Sequence, residues 1–425
     1  MTESTFAVLA LLVLGWAVAS DLLARMNIDG PLVFLVAGYA LGNPAWGPLS
    51  VSVEAPSIHL LAEVTLALLL FSDASRLNVT RLRRDLGFPT RLLGIGLPLS
   101  VVLGSLLAAW LLDDLTWALA GFVGATLAPT DAALSAQVIN DRRIPMRVRR
   151  VLNVESGLND GIVTPIVAFT LAVAASQLGD PGHEQSGGGG AVLELAIGVA
   201  VGLAIGLGSA LLITFGSRRH WSATGGRRLA TLAAALGSFA VTLAFDGNGF
   251  IGAFVAGIAF GAGLDEKVVD VEKADELPEL LGEVLALAVW FLFGAGLVPV
   301  AVEHFDLPLL VYALLSLTVV RIVPVALSLL GSELDRRTVL FVGWFGPRGL
   351  ASVVFALLAV EELGETPLVL SAVGAVTLTV LLSVVLHGVS AGPLGARYAR
   401  FEQLRDDPDD GPRSRRHSVG HGARR

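Results

Sequence analysis

The chain has 425 residues, 54% of them hydrophobic and only 16% charged, with a formal net charge of −8. A soluble domain carries about 25% charged residues, whereas here apolar runs too long for soluble core helices, and apolar all round, recur from Phe6 to Leu386. There is no cysteine, no H-E-x-x-H pair and no G-x-x-x-x-G-K-[ST] loop, so disulfides, iron–sulfur clusters, zinc proteolysis and ATP hydrolysis have no motif to stand on.

The first apolar span, roughly 5–22, ends in Ala17-Val18-Ala19, which resembles a signal-peptidase site. The segment before it carries Glu3 and no positive charge, so a retained helix is expected. Spans follow at roughly 31–49, 58–74 and 91–112, with Glu63 and Asp73 inside the third. The fifth, roughly 115–140, contains Ala125-Thr126-Leu127-Ala128-Pro129-Thr130-Asp131. Pro129 removes a backbone donor at mid-span, and a broken helix is tolerated at that depth only where its carbonyls line a polar cavity. Thr130 and Asp131 add side-chain oxygens, the donor set a hard monovalent cation prefers.

The sixth span, roughly 151–177, carries Glu155-Ser156-Gly157-Leu158-Asn159-Asp160. Ser156 and Asp160 are four apart and share a helix face, while Glu155 and Asn159 share the adjoining one. One such residue would fit helix–helix glue; four within six residues point to a site. A Gly-rich linker at 179–190 leads to a connector span at roughly 191–216. Further spans lie at roughly 228–245, 249–264, 279–301, 307–331, 337–361 and 366–392. They hold Glu283 in the tenth, Arg321 in the eleventh and, in the twelfth, the second mid-span proline in Gly346-Pro347-Arg348-Gly349. Residues 396–425 mix arginines with acids and lack an apolar period, so a disordered tail is expected.

All but two of the 29 lysines and arginines fall in the odd-numbered connections or the tail. That alternation supports thirteen spans, with the N-terminus outside and the C-terminus cytoplasmic, in an inner (plasma) membrane. The two exceptions, Arg321 and Arg348, lie inside spans with Asp131 and Asp160, each about 15–18 Å from the cytoplasmic end at about 1.5 Å per residue. Charges that deep mark a pathway or a pair. Spans 5 and 12 run in opposite directions, and interrupted helices at matching places in two halves point to a transporter site. The expected architecture is all-α: a membrane domain over 1–395 with inverted six-helix repeats at about 5–177 and 228–392 and broken helices 5 and 12 crossing at the midplane.

Pro-Thr-Asp in span 5, Glu-Ser-Gly-Leu-Asn-Asp in span 6, buried Arg321 and Gly-Pro-Arg-Gly in span 12 together resemble the monovalent cation:proton antiporter family, with its bacterial NhaP-type and animal NHE members. The resemblance implies exchange of sodium or potassium for protons, a six-helix core moving against a dimerisation domain, and a homodimer. Asp160 corresponds to the carboxylate that takes either cation or proton. Thr130, Asp131, Ser156 and Asn159 are its neighbours, with Na+ or K+ held at Asp160 and Asp131. Glu155 is the partner of Arg321, and Asn159 before Asp160 resembles the electroneutral branch. The family's common span-5 order is Ala-Thr-Asp-Pro; here the proline precedes the pair. Glu63, Asp73 and Glu283 are weaker candidates.

At mid-depth Asp131, Glu155 and Asp160 face Arg321 and Arg348, leaving one net negative charge that one cation or one proton neutralises. Because a charged empty site is costly to move through the bilayer, competition for that place gives exchange. Na+/H+ exchange, extending to Li+, is the reading; K+/H+ exchange and, in another class, a cation channel or ion-gated sensor are its rivals. No cofactor, enzymatic activity or nucleic-acid partner is expected.

Overall fold

The structure, a computed structural model, describes residues 3–26, 28–51, 55–76, 87–112, 115–178, 188–265 and 267–406. Among them the chain is all-helical. In order come α1 (Glu3–Arg25), α2 (Gly30–Gly42), α3 (Pro56–Ser75), α4 (Gly87–Leu111), α5 (Trp117–Thr126), α6 (Ala136–Ile139), α7 (Met146–Leu178), α8 (Gly188–Arg218), α9 (Thr224–Ala244) and α10 (Gly249–Gly263). Then follow α11 (Val271–Glu303), α12 (Leu307–Ser328), α13 (Arg336–Trp344), α14 (Leu350–Leu363) and α15 (Pro367–Asp406). Among the described residues α1, α3, α4, α7, α8, α11, α12 and α15 are long and apolar enough to cross a membrane, and α2, α5 and α10 are shorter apolar helices. The chain is a multi-pass membrane protein.

Local chemistry sets the helix starts. Proline opens α2, α3 and α12, where its missing N–H costs nothing. Side-chain oxygens of Thr116, Asn248, Asp306 and Asp335 accept the first free N–H groups of α5, α10, α12 and α13. The second span ends earlier than the expected 49. After Gly42, Asn43 turns the chain by accepting Gly47 N–H at its carbonyl (2.7 Å) and Ala45 N–H at its side chain (2.9 Å).

The helices pack as two groups: α2 and α3 with α8–α11, and α4–α7 with α12–α15. Within the first, α2 and α11 touch backbone to backbone: a Cβ on Gly38 would lie 1.9 Å from the Phe291 oxygen, and one on Gly294 2.0 Å from that of Leu35. In the second group both mid-span prolines lie outside helix, in the stretches between α5 and α6 and between α13 and α14.

The C-terminal expectation needs correction. Residues 396–406 are not a disordered tail: α15 runs on to Asp406. Tyr398 stacks on Phe341 with ring centres 4.1 Å apart, its hydroxyl lies 2.9 Å from Thr338 Oγ1, and the Arg337 guanidinium sits over Phe401. Those aromatic contacts give the segment an apolar face that the charge count hides. Residues 407–425 and most of the 179–190 linker lie outside the described residues.

Candidate functional site

Breaking α5 after Thr126 frees carbonyls that the interior must satisfy. The other broken pair does so. Ser352 Oγ donates to the Thr126 oxygen (2.7 Å), and Arg348 Nη1 donates to those of Ala128 (2.8 Å) and Pro129 (2.9 Å). Arg348 is 0% exposed. In return Asp131 serves the start of α14: its Oδ2 accepts Leu350 N–H (3.0 Å), and its own N–H donates to the Pro347 oxygen (2.9 Å). Its Oδ1 accepts Ala133 and Leu134 N–H. A cation thus stands at the C-terminal end of one helix and a carboxylate at the N-terminal end of another, the signs that the helix dipoles favour.

Beside this crossing, α7 presents its polar wedge. Asn159 Nδ2 donates to Thr130 Oγ1 (2.8 Å), and Ser156 Oγ lies 2.9 Å from the same oxygen, all three side chains buried. Asn159 Oδ1 is buried and accepts no hydrogen bond from the described residues. Asp160 is half-buried on the wall of a cavity it shares with Ser156, Asp131 and Asp73. Glu155 turns the other way, accepting Arg321 Nη1 and Nη2 at 2.5 and 2.9 Å with both side chains 4% exposed.

The cavity, about 1600 Å³, lies between the two helix groups and reaches the end of the molecule that bears Arg76, Arg91, Arg147 and Arg150. Its wall on the α3/α11 side is acidic. Asp73, Glu279 and Glu283 line it, and Asp275, fully buried behind them, accepts Ser72 Oγ (2.5 Å) and Arg76 Nε (2.9 Å). Arg76 also forms a two-pronged pair with Glu279. Motif reading passed over Asp275, Glu279 and Arg76. The signal was there in Asp275, Glu279 and Glu283, three acids four apart on one helix face. Glu63 lies away from this cavity, one turn from His59, whose Nδ1 is 3.0 Å from Glu361 Oε2.

Of the residues read as site candidates, the structure brings together Thr130, Ser156, Asn159 and Asp160, ties Asp131 and Arg348 into the crossing, and pairs Glu155 with Arg321. Ser156 and Asp160 line the cavity, and the buried Thr130 joins Ser156 to Asn159. Asp131 has three backbone N–H groups on its oxygens already.

The family described as "Sodium/hydrogen exchanger, transmembrane" matches residues 8–397. A K(+)/H(+) antiporter NhaP of Alkalimonas amylolytica is 26% identical over 96% of this chain and 68% of its own. A K(+)/H(+) antiporter NhaP2 of Shewanella oneidensis is 24% identical over 84% of this chain and 60% of its own. The chain therefore spans about two thirds of the length of these relatives. The solved sodium proton antiporter MjNhaP1 of Methanocaldococcus jannaschii shares the fold, with a TM-score of 0.74, 20% identity and coverage of 93% of this chain and 99% of that one.

Proposed function

Because the chain belongs to the sodium/hydrogen exchanger family, one of antiporters and not of enzymes, we propose that it exchanges Na+, and Li+, for H+ one for one at Asp160. The observation that carries this reading is the wedge itself. Asp160 lines a cavity with Ser156 and takes no hydrogen bond from the described residues on its carboxylate; Asn159, next to it in the chain, has an Oδ1 with no partner among them, and Thr130 links Asn159 to Ser156. Oxygen ligands without sulfur or imidazole suit a hard cation.

The other mid-depth charges have partners of their own: Arg321 pairs with Glu155, Arg348 is held by the Ala128 and Pro129 carbonyls, and Asp131 by backbone N–H groups. Asp160 is then the charge that a cation or a proton must neutralise before the site crosses the bilayer. Cation and proton share one place, so each carries the other's return. The reading includes thirteen crossings in two inverted repeats, with the α4–α7 and α12–α15 group moving against the other. The N-terminus is outside, and the cavity opens to the cytoplasm of a plasma membrane. A homodimer accounts for α1, whose Phe6, Leu11, Leu14 and Val18 are exposed. Such an exchanger would serve pH homeostasis.

Potassium is the second reading, favoured by the names of the two relatives above. The deciding experiment is proton flux in everted vesicles or proteoliposomes after addition of Na+, Li+ or K+, with the membrane potential clamped. Coupled flux independent of potential supports one-for-one exchange. Downhill cation flux without proton movement would make the protein a channel, and flux with K+ alone would replace the sodium reading.

A further inference from the structure

The Gly-Pro-Arg-Gly break is also held from α15, by residues that no motif marks. Ser383 and His387 are four apart and share a helix face, and they reach both ends of the break. The Arg348 N–H donates to Ser383 Oγ at 2.7 Å. His387 Nε2 lies 2.9 Å from the carbonyl oxygen of Trp344, the last residue of α13. Between the two, Ser383 Oγ is 3.2 Å from His387 Nδ1. His387 is 2% exposed, and its ring lies 5.0 Å from that of Trp344.

With the imidazole neutral, one proton placement serves the Trp344 carbonyl, the Ser383 hydroxyl and the Arg348 N–H together. A carbonyl only accepts, so Nε2 carries the ring proton toward Trp344. Ser383 Oγ accepts the Arg348 N–H, and its own hydrogen then goes to Nδ1, which in this tautomer is an acceptor. The Ser383 carbonyl, 2.9 Å from Nδ1, belongs to the helix's own i, i+4 ladder. A serine and a histidine bonded back along one helix are ordinary. These two instead reach the two ends of the break: Ser383 meets the buried Arg348 N–H, a group that is costly to leave unmet, and His387 adds a second hydrogen bond to the Trp344 carbonyl, which also accepts the Gly346 N–H (2.8 Å).

What the clamp holds is one bond from the ion site. Pro347, next to Arg348, accepts Asp131 N–H; Arg348 holds the Ala128 and Pro129 oxygens; Thr130 lies between Pro129 and Asp131. We propose that Ser383 and His387 are positioning residues for cation binding, fixing residues 344–348 and through them the place of the Thr130 oxygen. This rests on the exchange reading above.

The test uses the full-length protein in proteoliposomes with Ser383→Ala, Ser383→Thr, His387→Leu and His387→Gln. Threonine keeps the hydroxyl, and glutamine can donate to Trp344 while accepting from Ser383. Alanine and leucine should raise the KM for the cation about tenfold, the effect of one buried hydrogen bond, and speed amide exchange at Arg348 by a similar factor. Threonine and glutamine should restore both. Unchanged KM and amide exchange in Ser383→Ala and His387→Leu would overturn the proposal, as would conservative variants that fail equally, since packing alone would then be the cause. If no cation drives proton flux in the unaltered protein, the exchange reading falls, and amide exchange at Arg348 still decides the clamp.

Discussion

The carboxylate of Asp131 fills the space that a side chain would need at Gly349: a Cβ there would stand 1.8 Å from Asp131 Oδ2. The oxygen cannot simply swing aside, because it accepts Leu350 N–H while Oδ1 accepts those of Ala133 and Leu134. Gly349→Ala should therefore open the crossing between α5 and α14, costing about 1–3 kcal/mol of stability for the lost charge-assisted bonds and most of the transport rate. Gly208→Ala, with nothing within 4 Å, should change neither. Adding Asp131→Ala to Gly349→Ala should cost little more, since both remove the same interaction. Thermal unfolding of purified protein in detergent measures this; a Gly349→Ala protein as stable as the parent would mean that Asp131 is not bound to the start of α14.

Asp160→Asn should bring exchange down to the level of empty vesicles while the yield of folded protein holds. The substitution keeps the shape and removes the titrating group. Because the Asp160 carboxylate takes no hydrogen bond from the described residues, nothing structural is lost with it, and removing a partly buried unpaired charge leaves stability equal or higher. Proton flux is the readout, with unfolding temperature as the control. A variant that still exchanges at the parent rate would move the carrier elsewhere on the cavity wall, with Asp73 the first place to look.

Much of this site is visible in the chain before any coordinates. Pro129, two residues before Asp131, and Pro347, next to Arg348, mark the interruptions inside apolar runs, and α5 and α13 end at Thr126 and Trp344. Spacing of four puts Ser156 and Asp160 on one face of α7. Two things do not follow from spacing. Asp131 reads as an ion ligand because its side chain is a carboxylate next to Thr130; that it caps α14 depends on where a segment more than 200 residues away comes to rest. Ser383 and His387 lie in an apolar run and look like ordinary helix polar residues until Trp344 and Arg348 are placed against them. The helical continuation to Asp406 is hidden for the opposite reason, because arginines and acids outnumber the few aromatics that pack.

The pairing of Arg321 with Glu155 gives the sharpest test of how buried charge is organised. The two hydrogen bonds, at 2.5 and 2.9 Å, are as direct as such a pair makes, and both side chains are buried. A buried pair is weak evidence for net stability, since desolvation offsets much of the attraction. Removing one partner is different, for it leaves a bare charge and costs about 3–5 kcal/mol. Arg321→Ala and Glu155→Ala should each lower the unfolding free energy by that order, and the double substitution should recover much of the loss, as contacting residues do. Arg348 supplies the control. Its guanidinium bonds to the Ala128 and Pro129 carbonyls and to no carboxylate, so Glu155→Ala should not rescue Arg348→Ala. Should the Glu155 and Arg321 losses simply add, the two charges are not coupled in the folded protein. Asp160 would then no longer be the one charge left for a cation or proton to neutralise, and the charge balance behind one-for-one exchange would have to be drawn again with Asp73 in it.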